Sequence, residues 1–130
     1  LSQKNKLLII QKKPFLIYGR NYDTKDGTAV RDYIHINDLI SAHVLSLKYI
    51  YKRKNEIFNV GTGRGYSVLE ILKTFQKVLN KKIHFKFVNR RKGDPAVIYC
   101  STTKIKKILN WKPAHSLLDM CQHAIKKFNS

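Results

Sequence analysis

The stretch EIFNVGTGRGYSVLEILKTFQKVL, residues 56–79, decides the fold class. Glu56-Ile-Phe-Asn-Val60 has the short apolar character of a buried strand, and it runs into Gly61-Thr-Gly-Arg-Gly65. Ser67 then offers a helix cap. Glu70, three residues on, completes a reciprocal box in which each side chain accepts from the other residue's backbone N–H. Val68, Ile71, Leu72, Phe75, Val78 and Leu79 recur three and four apart, the best helical stripe in the chain. A strand, a glycine turn and a capped helix in succession predict an α/β protein.

The pattern extends in both directions. Upstream, Phe15–Tyr18 reads as a strand ended by Gly19, and Arg20–Thr28 as a polar loop with an Asp26-Gly27 turn. Arg31–Ile36 reads as an extended segment presenting polar side chains. Asn37 and Asp38 offer the cap of a helix running to about Lys52, with Leu39, Ile40, His43, Val44, Leu47, Ile50 and Tyr51 in its periodic set. Downstream, Ile83–Val88 is a predicted strand, Asn89–Pro95 a loop and Ala96–Tyr99 a further extended run. Helices are predicted over Thr102–Leu109 and Ser116–Phe128, the second with Leu117, Met120, Cys121, Ala124 and Phe128 on one face.

At 130 residues, with 43% hydrophobic and 26% charged, the chain has room for one modest globular domain. Its longest apolar run, Leu7–Ile10, is far short of the ~20 residues of a membrane helix. No secretory signal is visible, so a cytoplasmic location is expected. The chain begins with Leu rather than Met, as a piece of a longer protein would. A net charge of +18 raises nucleic-acid binding as a possibility. The cations, however, are mostly lysines scattered in ones and twos, with only six arginines, and no basic helix or arm gathers them. A solvated basic surface is the better reading. Cys100 and Cys121 match no zinc spacing and read as free thiols; the five histidines form no ligand cluster in the sequence, so no metal is expected.

The chemistry-bearing motifs are few. Gly61-x-Gly-x-Gly65 looks like a phosphate cradle, but the dinucleotide fingerprint needs a glycine where Tyr66 stands, and Lys81-Lys82 fall where its acidic residue belongs. A glycine turn for close packing is the better reading, and no cofactor-binding residue is expected there. No tyrosine has a lysine four residues on, and no Gly-x-Ser-x-Gly elbow occurs, so no catalytic residue is predicted. Two arginine-bearing loops stand out, Asp26–Asp38 and Arg90–Val97. Arginine's planar fork suits phosphate oxygens, and Asp94 is well placed to accept from ribose hydroxyls beside Arg91. Ordinary surface salt bridges are the competing reading.

These loops carry a resemblance. Asp26-Gly-Thr-Ala-Val-Arg-Asp-Tyr-Ile-His-Ile-Asn-Asp38 and Arg90-Arg-Lys-Gly-Asp-Pro-Ala-Val97 resemble signatures of UDP-glucose (UDP-galactose) 4-epimerases. So do Phe58–Val68, Lys104-x-x-x-x-Leu109 and Trp111-Lys-Pro113, in order, over about residues 14–128. The related dehydratases of nucleotide sugars usually differ at Asp26–Val30 and Gly93–Val97. The resemblance implies the C-terminal, nucleotide-sugar-binding part of an extended short-chain dehydrogenase of Rossmann type, with the dinucleotide-binding part and its Tyr-x-x-x-Lys base absent. Residues 1–130 would then be one partial domain, in which the strand–helix unit 56–80 completes the missing Rossmann sheet.

Arg31 and Arg91 would grip the UDP phosphates, Asp94 the uridine ribose, Leu16 and Tyr18 the uracil, and Tyr33 would stand beside the phosphates. Ile98 falls where some relatives have tyrosine and cannot make its hydrogen bond. The implied reaction interconverts UDP-glucose and UDP-galactose through transient NAD-dependent oxidation at C4. NAD would be held mainly by the missing part, in a homodimer with no membrane or specific nucleic-acid partner. The chain by itself would be inactive and would fold poorly. A catalytically inert remnant and a basic nucleic-acid module are the alternatives.

Overall fold

The computed structural model describes residues 13–52 and 55–126. Five short strands and four helices follow one another: β1 (Phe15–Tyr18), β2 (Val30–Asp32), α1 (Ile36–Ile50), β3 (Gly65–Ser67), α2 (Val68–Leu79), β4 (Phe85–Val88), β5 (Val97–Ile98), α3 (Thr103–Leu109) and α4 (Leu117–Lys126). The α/β class is as expected. β1 and β4 pair in parallel, with Leu16 opposite Lys86 and Tyr18 opposite Val88. β2 is the centre of a second, three-stranded sheet, antiparallel to β3 and parallel to β5.

Two apolar clusters hold these layers. Ala42, Ile105 and Trp111 join α1 to α3, with Ile34, Phe58 and Val60 packed against them. Ile71, Phe75 and Cys121 join α2 to α4, with Tyr33, Tyr66 and Leu117 at the margin. The predicted Ser67–Glu70 box is formed and starts α2, and Asn80 ends that helix in the left-handed conformation.

Several predicted boundaries move. The predicted strand Glu56–Val60 is not a strand, because no strand among the described residues lies beside it to complete a ladder. Extended pairing within Arg31–Ile36 is limited to β2, and the Ile83–Val88 strand begins at Phe85. The cap of α1 is His35, whose side chain accepts from the Asn37 N–H, rather than Asn37 or Asp38. Asp38 is instead buried in the first turn, bonded to His115. Phe128, expected on the α4 face, lies outside the described residues.

Candidate functional site

Parallel pairing brings the two arginine loops together. β1 and β4 end side by side, and the Gly19 N–H donates to the Val88 carbonyl at 2.8 Å. From Val88 the chain passes through residues 89–96 to β5, whose parallel register on β2 sets Ile98 opposite Arg31. The loop bearing Arg90, Arg91 and Asp94 therefore spans from the end of β1 to the strand that carries Arg31.

Arg31 Nη2 makes an ion pair with Asp94 and donates to the Pro95 carbonyl at 2.8 Å; Nη1 donates to the Val30 carbonyl at 2.6 Å. The other Asp94 oxygen accepts from the hydroxyl of buried Tyr22 at 3.3 Å. The Arg90 guanidinium stands 3.7 Å from the centre of the Tyr22 ring and donates to the Asn21 carbonyl at 2.9 Å. Arg91 stands 4.1 Å from the centre of the Tyr18 ring. Arg31, Asp94, Tyr22 and Arg90 thus form one chain of contacts, and the separate Arg91–Tyr18 pair adjoins it through the backbone at the ends of β1 and β4; the two together are the belt of this face.

The predicted residues differ in their freedom within this belt. Arg91 is exposed, and a guanidinium over a ring still presents its edge N–H groups to solvent. Arg31 is occupied by the protein's own acceptors and braces the turn at Asp94–Ala96. Leu16 and Tyr18 alternate with buried Ile17, so they share the more open face of β1. Tyr33 is half-buried against the Ile71–Phe75–Cys121 cluster; burial pushes its phenol above the ordinary value, with Arg31 pulling the other way.

The glycine loop binds inward. The Asp32 carboxylate accepts from the Thr62 N–H at 2.8 Å, the Thr62 hydroxyl at 2.5 Å and the Gly63 N–H at 3.1 Å. A side chain at Gly61 would strike Asp32 and Cys100, and one at Gly65 would strike Val30. These glycines allow the loop to lie against β2 and Cys100, so the close packing expected between a strand and the following helix is made with β2 instead.

The cysteines are both unbridged, and burial raises both thiols, that of Cys121 to about 11. Neither is an activated nucleophile. The histidines depart from expectation: the fold gathers His35, His115 and His123, with one ring nitrogen of each within 4.8 Å of the others. Sequence reasoning missed this group and Tyr22, and it gave Arg90 and Asp32 no role of their own although both lie in the two loops it singled out. No local pattern reports a contact such as Tyr22 to Asp94, 72 residues apart.

A sequence profile described as GDP-mannose 4,6 dehydratase matches residues 6–124. The chain belongs to this family. Among curated relatives, it is 42% identical over 118 residues to UDP-glucose 4-epimerase 1 of Oryza sativa subsp. japonica, covering 87% of this chain and 33% of that protein. It is 48% identical over 106 residues to the UDP-glucose 4-epimerase of Lactobacillus helveticus, covering 81% and 32%. The Bifidobacterium longum UDP-glucose 4-epimerase, solved with NAD+ and UDP, superposes with a TM-score of 0.80 at 43% identity over 85% of this chain and 33% of that one. The Brucella ovis enzyme, solved with NAD, superposes at 0.88 with 30% identity, covering 96% and 39%. This member of the family thus spans about a third of the length of the epimerases it matches, with the expected Rossmann-type relatives. No helix among the described residues is long and apolar enough to cross a membrane.

Proposed function

We propose that this chain supplies the UDP-sugar grip of a UDP-hexose 4-epimerase. The observation that carries the reading is the belt of Arg31, Asp94, Tyr22, Arg90, Arg91 and Tyr18 at the ends of β1 and β4. Arg91 takes the diphosphate through its exposed edge, while the open face of Leu16 and Tyr18 receives the uracil. Arg31 and Asp94, already clasped together, form the floor; binding exchanges part of that ion pair for phosphate and ribose hydroxyl contacts. Tyr33 buttresses this floor from the core side. Epimerisation requires the nucleotide to be held firmly while the sugar turns over, so binding energy belongs on the diphosphate and base.

NAD is a cofactor named with the solved relatives. The glycine loop of this chain offers no open cradle for it: the Thr62 and Gly63 N–H groups are taken by Asp32, and the space beside Gly61 and Gly65 is filled by Asp32, Cys100 and Val30. We therefore assign dinucleotide binding, and the oxidation at C4, to further protein that covers the apolar outer stripe of α1 (Ile36, Ile40, Val44, Leu47) and pairs with residues 56–60, as a strand–helix unit 56–80 completing a larger sheet would. A homodimer of the complete enzyme and a cytoplasmic location belong to the same proposal. Without that protein, this chain binds nucleotide and does not turn over substrate.

Titration with UDP and with a duplex oligonucleotide, at low salt and at ~0.2 M salt, tests the reading. A built diphosphate site keeps most of its UDP affinity, whereas diffuse phosphate attraction by a +18 chain collapses. Oligonucleotide binding that outlasts UDP binding in salt would overturn it in favour of the nucleic-acid module.

A further inference from the structure

The most unusual side-chain group outside the belt is the set of three histidines. His35 is buried at the N-terminus of α1, His115 lies in the connection between α3 and α4, and His123 is on α4. The His35 and His115 rings stack with centroids 3.9 Å apart, and the His123 ring meets His35 edge-on at 5.1 Å. Hydrogen bonds fix the protons. His35 Nδ1 accepts from the Asn37 N–H at 3.0 Å, so the neutral ring carries its proton on Nε2. Nε2 then donates to His123 Nδ1 at 2.9 Å. His115 is turned the other way, with Nδ1 donating to Asp38 at 2.8 Å.

By distance alone the rings form a metal-ligand set. The proton positions argue against it, because His35 has no lone pair left: one nitrogen caps a helix and the other bears the hydrogen that reaches His123.

We propose that His35 and His123 form an acid-released latch joining the N-terminus of α1 to α4. A second proton on His35 must go to Nδ1, where it faces the Asn37 N–H and destroys the cap. A second proton on His123 must go to Nδ1, where it faces the His35 N–H and breaks the link. Either event also places a cation against two neighbouring imidazoles. Asp38 and Asp119 are the carboxylates facing the group, and they oppose this effect; His115 and His123 reinforce it, and burial of His35 outweighs the carboxylates, holding its ring below the ordinary histidine value. The latch spans the two apolar clusters, since α1 belongs to one and α4 to the other. Its release frees the first turn of α1 from α4.

The test is the melting temperature and the amide exchange of Asn37 and Leu39 in the full chain, measured between pH ~7.5 and ~5.5. Wild type is expected to lose about 5 °C or more and to lose protection at both amides. His35→Asn keeps a side-chain cap acceptor that does not titrate and flattens the profile; His123→Gln keeps an acceptor for His35 but leaves the His35 cap to titrate, so it shows a smaller acid loss than wild type without abolishing it. His43→Gln, an exposed histidine farther along α1 that is not one of the three, leaves it as in wild type. A flat wild-type profile, or the same acid loss in both His35→Asn and His123→Gln, overturns the latch. So does saturable Zn2+ binding that His123→Gln abolishes, because it requires the lone pair that the latch denies. If one variant fails to fold, the other and the wild-type exchange data decide.

Discussion

The α2–α4 side of the molecule and the α1 side are both built on helices with an apolar stripe, yet they end differently. Along α2, Ile71, Leu72 and Phe75 are all buried, and both helix ends are capped. Along α1, only Ala42 among the apolar side chains is fully buried, while Ile36, Ile40, Val44, Leu47 and Ile50 remain exposed on the outside. A monomeric surface rarely carries so continuous an apolar strip. One side is thus finished by this chain's own packing, and the other has the surface of an element waiting to be covered.

The sharpest way to break that contrast is truncation on each side. Phe75→Ala should cost about 3–5 kcal/mol in denaturant unfolding, the range for emptying an aromatic site in a closed core. Next comes the cap: Ser67→Ala should cost about 1 kcal/mol, since it removes the Glu70 N–H acceptor and the donor to Asp26.

Acid should act on the same junction. Burial pushes Asp26 upward, but hydrogen bonds from Ser67 and Thr28 outweigh it and hold the carboxyl below its usual 3.8. The unfolded chain therefore takes up this proton first. Its stabilisation is present above about that pH and is lost as pH falls further, and Asp26→Asn should blunt this acid limb in pH-dependent melts.

The smallest effect belongs to the open side. Leu47→Lys should change stability by less than about 0.5 kcal/mol, while reducing self-association seen by light scattering, because Leu47 is 66% exposed. A loss as large as that for Phe75 would show α1 to be covered already.

What could be read from the sequence follows the same division. The strand at Phe15–Tyr18, the box at Ser67–Glu70 and the stripe of α2 depend on neighbours within a few residues, and all are present. Glu56–Val60 has a strand's composition but lacks a ladder, which no local pattern can supply. Histidine is a poor capping candidate by type, so Asn37 and Asp38 are the expected caps of α1; His35 serves because its Nδ1 accepts from the Asn37 N–H while its other ring nitrogen is engaged with His123 on another helix. Arg31, Arg91 and Asp94 were legible as chemistry. Their arrangement was not: that Arg31 clasps Asp94 whereas Arg91 lies open on Tyr18 depends on β5 joining β2.

That last difference gives the most direct measurement, the UDP affinity of Arg91→Ala beside that of wild type by calorimetry. Loss of the exposed guanidinium should weaken binding by ~1.5–3 kcal/mol, roughly ten- to a hundredfold, with the fold's melting temperature unchanged. Equal affinity for UDP in the two proteins would contradict a diphosphate grip at this belt.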